Sequence, residues 1–119
     1  MKLEGEGKLV RIFIGASDRA GGRPLYEEIV RRARAAGLAG ATVLRGLEGF
    51  GAKSRIHTAK VLRLSQDLPI VVEIVDSAEK IEAFLPELDA LVGEGMITLE
   101  KVHVIAYRHG PAPDETPAS

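Results

Sequence analysis

Gly40-Ala41-Thr42-Val43-Leu44-Arg45-Gly46-Leu47-Glu48-Gly49-Phe50-Gly51-Ala52-Lys53-Ser54-Arg55-Ile56-His57 begins as a β-rich run and breaks into a glycine-rich, basic loop with an aromatic tip. A tight turn needs at most one or two glycines, so Gly46, Gly49 and Gly51 around Phe50 imply backbone that moves or closely approaches a ligand. Lys53, Arg55 and His57 add cationic and titratable side chains to the same segment. Function is therefore expected in this loop, with residues 42–44 as the strand that leads into it.

Upstream, residues 9–14 place Val10, Ile12 and Ile14 on one face and Arg11 on the other, and Gly15 closes this first strand. Pro24 suits the first turn of a helix, where its missing donor costs nothing. Leu25, Ile29, Val30, Ala33 and Ala36 then recur at helical spacing, with Glu27–Arg31 and Glu28–Arg32 as i,i+4 pairs on the wet side and Gly37 as the stop. Downstream of the loop, Val61, Leu62 and Leu64 read as strand or extended arm, and Pro69 opens an apolar central strand over residues 70–75. Asp76 followed by Glu79 reads as a variant capping box. Ile81, Phe84, Leu85, Leu88, Leu91 and Val92 form a helical stripe that Pro86 should kink or split. Residues 96–99 and 102–107 read as strand, either as one bent strand or as two, after a turn framed by Gly93 and Gly95.

The order strand, helix, strand, loop, strand, helix, strand is the split βαβ pattern of a ferredoxin-like α+β sandwich, βαββαβ, with an antiparallel sheet and two helices on one face. No helix remains for the other sheet face, so another copy of the chain is expected to bury it, with sites in the clefts between subunits. One domain is expected over residues 8–109, and the proline-rich, polar residues 110–119 are expected to be a disordered tail.

Composition narrows the function classes. The 119 residues carry 16 basic and 17 acidic side chains, so no global field recruits nucleic acid or an anionic membrane, and any anion site is local. Five aromatic rings and no tryptophan argue against a base-stacking platform. The absence of cysteine removes thiolate chemistry and fits a reducing, cytoplasmic setting, as does the lack of a signal-like or membrane-spanning apolar run.

Several motifs have two readings. Residues 46–54 miss the P-loop pattern by one inserted residue, Ala52, and the chain after Ser54 is not convincingly helical. Arg19, Gly21, Gly22 and Arg23 precede a helix start that could hold an anion or be an ordinary turn. No two of His57, His103 and His109 have helix-neighbour spacing, so no metal site is expected from them. Glu73, inside an apolar strand, is either surface-facing or paired with a basic group. No nucleophile motif stands out.

On Pro24-Leu25-Tyr26, residues 39–43, Arg45-Gly46, Gly49-Phe50-Gly51, Asp67-Leu68-Pro69 and residues 75–81, the chain resembles the PII-like proteins, specifically a small PII-like family catalogued as a domain of unknown function. The resemblance runs from about residue 9 to 108 and implies a ferredoxin-like homotrimer. It implies a non-enzymatic signalling protein that binds a small anionic ligand, with an adenine nucleotide as the expected class, in intersubunit clefts. By the same resemblance Gly49, Phe50, Gly51, Lys53 and His57 lie in a T-loop-like segment presented to a transporter, channel or enzyme, and Arg108 reaches a phosphate; with Gly46 and Arg55 these are the expected ligand-binding residues. One feature departs from a phosphate site: residues 75–81 contain two acids and no glycine, which disfavours a triphosphate there. Two other classes remain open at this level: a small enzyme using His57 or His103 at a subunit cleft, and an interaction module without a ligand.

Overall fold

The computed structural model describes residues 4–50 and 68–110. Strand β1 (Gly5–Gly15) lies between β5 (Pro69–Asp76) and β6 (Met96–Val104), and β4 (Thr42–Arg45) pairs with the outer side of β5. All three pairings are antiparallel, giving the sheet order β4-β5-β1-β6. Helix α1 (Leu25–Ala35) connects β1 to β4 across the sheet, and α2 (Ala78–Leu91) connects β5 to β6. This is the expected ferredoxin-like α+β arrangement.

Strict alternation along β5 puts Ile70, Val72 and Ile74 into the core, where they meet Val10, Ile12 and Ile14 of β1. Leu25, Ile29 and Ala33 of α1 and Ile81, Phe84 and Leu88 of α2 close this face. Burying such side chains is worth about 1.5–3 kcal/mol each, which outweighs the local cost of Pro86. The helix therefore runs unsplit from Ala78 to Leu91 with Pro86 inside it. Pro86 is exposed, so the carbonyl it frees faces the wet side of the helix.

The opposite sheet face has no helix over it among the described residues. Register aligns Leu44, Val71, Phe13 and Met96 directly across all four strands, and Leu44, Phe13 and Met96 are 47%, 38% and 59% exposed. The adjacent row is Thr42, Glu73, Arg11 and Thr98. Arg11 donates from Nε to Glu73 (2.8 Å) and from a terminal nitrogen to Glu100 (2.6 Å), so Glu73 is a paired residue on the open face.

Four local expectations change. A two-rung hairpin, β2 (Arg19–Ala20) and β3 (Arg23–Pro24), precedes α1 where the sequence reads only as a loop. Glu28 is buried rather than on the wet side, and Arg31 pairs with it rather than with Glu27. The cap of α2 is Ser77, whose hydroxyl accepts from the Lys80 amide, because Asp76 is committed elsewhere. Residues 96–104 are one strand, ending before Tyr107.

Candidate functional site

β4 delivers the chain to residues 46–50 at the edge of the sheet. The Gly46 amide donates to the Pro69 carbonyl (2.8 Å). A Cβ at Gly46 would stand 2.7 Å from Pro69 Cγ, and one at Gly49, which has φ +154°, would stand 3.1 Å away. These two glycines are thus required by close approach to Pro69, the first residue of β5. The root of the loop is clamped while its apolar side chains point outward: Leu47 is 97% and Phe50 67% exposed. Gly51, Lys53, Arg55 and His57, and the arm predicted through Val61, Leu62 and Leu64, lie outside the described residues.

The other end of β4 is tied down from three elements. Asp76, 2% exposed at the end of β5, accepts from the Ala39 amide (2.8 Å) and the Ser77 amide (2.6 Å). Lys80 of α2 donates to the Gly37 carbonyl (3.1 Å), and the Tyr107 hydroxyl donates to the Ala39 carbonyl (3.1 Å). The Tyr107 amide is itself held by a Glu4 carboxylate oxygen (3.1 Å). An anionic carboxylate thus sits at the start of α2, where unpaired amides and the helix dipole favour negative charge. Asp76 is committed to two backbone amides at this helix start, which gives the acid at the end of β5 a structural role.

Beside this anchored segment, Val30, Ala33 and Arg34 of α1 and residues 38–41 line an open groove of about 380 Å³. Arg34 and Arg108 are exposed, without an acceptor among the described residues. Arg108 follows Tyr107 and so stands at the Ala39 end of β4, whereas Gly46, Gly49 and Phe50 stand at the other end. The intervening strand is about 13 Å long. Within one protomer the structure does not gather the expected ligand residues into a single pocket.

His103 is exposed on β6 and pairs in register with Glu6, and the His109 ring meets Tyr107 edge-on at 6.0 Å. Among the described residues, no cluster of three or more metal-ligating side chains forms. Sequence reasoning misses the groove, the Tyr107 strap and the anchoring role of Asp76. The legible signal is an acid at the end of an otherwise apolar strand.

Residues 7–104 match the model of the DUF190 family, described as "Uncharacterized ACR, COG1993". The chain belongs to that family. Among the relatives of this chain, a UPF0166 protein of Aquifex aeolicus is 44% identical over 82% of this chain and 92% of its own length. A UPF0166 protein of Methanocaldococcus jannaschii is 31% identical over 83% of this chain and 92% of its own. The fold is similar to that of a protein from Thermus thermophilus designated PII-like and signaling, with a TM-score of 0.60 and 20% identity. That match covers 88% of this chain and 94% of the other. It is also similar to CPII of Thiomonas intermedia, solved with ADP and bicarbonate, with a TM-score of 0.52 and 19% identity over 87% and 91% of the two chains. At these identities the likeness carries the PII-like fold, in agreement with the resemblance read from the residues.

Proposed function

We propose that this DUF190 protein is a non-enzymatic, cytoplasmic PII-like regulator that assembles as a homotrimer through its open sheet face. A small anionic ligand, in the class of adenine nucleotides, binds between protomers, and the loop beginning at Gly46 is presented to a protein partner such as a transporter, channel or enzyme. The observation that carries this reading is the loop root: Leu47 and Phe50 are held out in water on a segment clamped over Pro69. Large apolar side chains presented in this way favour contact with another protein. Gly46, Gly49, Phe50, Gly51, Lys53, Arg55, His57 and Arg108 are the proposed ligand-responsive residues.

The placement of Arg108 and the loop at opposite ends of β4 supports a cleft completed by a second copy. The ADP held by the Thiomonas protein of the same fold supports the nucleotide class. A ligand acts here as a population shift, favouring the loop conformation with which it makes more contacts.

The test is the melting temperature against AMP, ADP, ATP, cyclic nucleotides and inorganic phosphate, each with and without magnesium, alongside light scattering. A saturable rise with one adenine nucleotide, lost in Arg108→Ala while assembly persists, is the expected result. A monomer in solution, or no shift with any nucleotide, overturns the reading.

A further inference from the structure

Glu28 is 6% exposed, and its two oxygens are surrounded by three arginines from two elements. Arg31 makes a two-pronged contact, Nε to Oε1 (3.1 Å) and a terminal nitrogen to Oε2 (2.9 Å). Arg32 Nε donates to Oε2 (2.7 Å), and Arg23 Nε, on the β2–β3 hairpin, lies 3.5 Å from Oε1. Each guanidinium has five N–H donors, so most of those on these three side chains remain turned toward water. The side chains of Arg23, Arg31 and Arg32 are 51%, 56% and 40% exposed. One buried carboxylate therefore positions three outward-facing cations.

This surface stands out from the rest of the chain. Residues 19–36 hold five arginines and two glutamates, a net of +3, in a protein whose total is −1. Glu27, exposed beside Arg31, offsets part of that charge but leaves the face positive. Helical spacing puts Glu28, Arg31 and Arg32 on one flank of α1 and the groove residues Val30 and Arg34 on the other. The cluster is separate from the site described above. Its three guanidinium side chains are 40–56% exposed on a helix and a hairpin, which suits a macromolecular partner more than an enclosed small ion.

We infer that Arg23, Arg31 and Arg32 form a docking surface for a carboxylate-rich segment of a protein partner. Arginine forks match carboxylates in pairs, and Glu28 has already ordered the side chains, so less rotamer freedom is lost on binding. Binding of this kind weakens as salt screens the charges.

Fluorescein-labelled hexaglutamate, followed by anisotropy at low ionic strength, is the probe. Arg31→Gln with Arg32→Gln should weaken its binding about tenfold or more, the loss of roughly one strong charged contact. That pair leaves Glu28 short of partners, so the triple variant Glu28→Gln, Arg31→Gln, Arg32→Gln, which keeps no buried charge there, should show the same loss with the fold intact. Lys101→Ala, on exposed β6, should bind as wild type. Equal weakening by Lys101→Ala, wild-type affinity in the triple variant, or binding of inorganic pyrophosphate but not hexaglutamate would each overturn the proposal.

Discussion

The Ala39 amide donates to Oδ2 of Asp76 at 2.8 Å, although the two residues are 37 positions apart in sequence. The same carboxylate accepts from Ser77, so it joins the end of β5, the start of α2 and the approach to β4. Asp76→Ala should therefore cost about 2–3 kcal/mol in urea unfolding, since two amides lose a charged acceptor in a buried place. Asp76→Asn should cost less, because the amide oxygen still accepts. Equal stability of Asp76→Ala and wild type would remove Asp76 as the anchor.

Glu28 links pH to stability. Hydrogen bonds from Arg31 and then Arg32 hold its carboxyl at about 2, below its ordinary value of 4.5, against the opposing effect of burial. A carboxyl depressed in the fold contributes stability fully above its ordinary value and loses it as pH falls toward the depressed one. The stability gap between wild type and Glu28→Gln should be constant from neutral pH to about 5 and shrink from there to about 2. Denaturant midpoints at stepped pH values check this, and a gap that widens on acidification would contradict the pairing.

Gly46 tests whether the loop root needs close approach rather than freedom. An added methyl would stand 2.7 Å from Pro69 Cγ and 3.4 Å from the Pro69 carbonyl oxygen. Gly46→Ala should destabilise by about 1–3 kcal/mol through overpacking. Coupling it with Pro69→Ala should recover part of that loss, because the clash is with the ring. Simple additivity of the two would place the strain elsewhere.

Phe13 sits in the centre of the apolar row Leu44, Val71, Phe13 and Met96. On the proposed assembly through this face, Phe13→Asp should shift the light-scattering mass from that of an assembly to that of a single chain, with the far-ultraviolet spectrum retained, because Phe13 is on the face opposite the core. A full-size assembly carrying the aspartate would show that copies meet through another surface.

The core is legible in the sequence because it depends on local periodicity. The alternation through Ile70, Val72 and Ile74 and the stripe Ile81, Phe84 and Leu88 name their buried faces without reference to anything distant. Glu28 is misread because spacing along α1 gives its helical neighbours but not the position of the β2–β3 hairpin, which brings Arg23 to it. Pro86 reads as a break in a helix that packing sustains. The apolar row on the open face requires the register of three strand pairings, which no single segment encodes. Of the site, the loop is found from its glycines, but their reason lies in Pro69, about twenty positions away. The Tyr107 contact with Ala39 joins parts of the chain with no shared local pattern.

The contact between Glu4 and Tyr107 brings the beginning and end of the folded region together at one end of the central strand β1. Closing a chain across so short a gap needs only a brief linker. The polypeptide order is therefore separable from the architecture: a circular permutant, sealed there and opened within residues 46–50, would keep all three strand pairings while turning the exposed loop into two free ends.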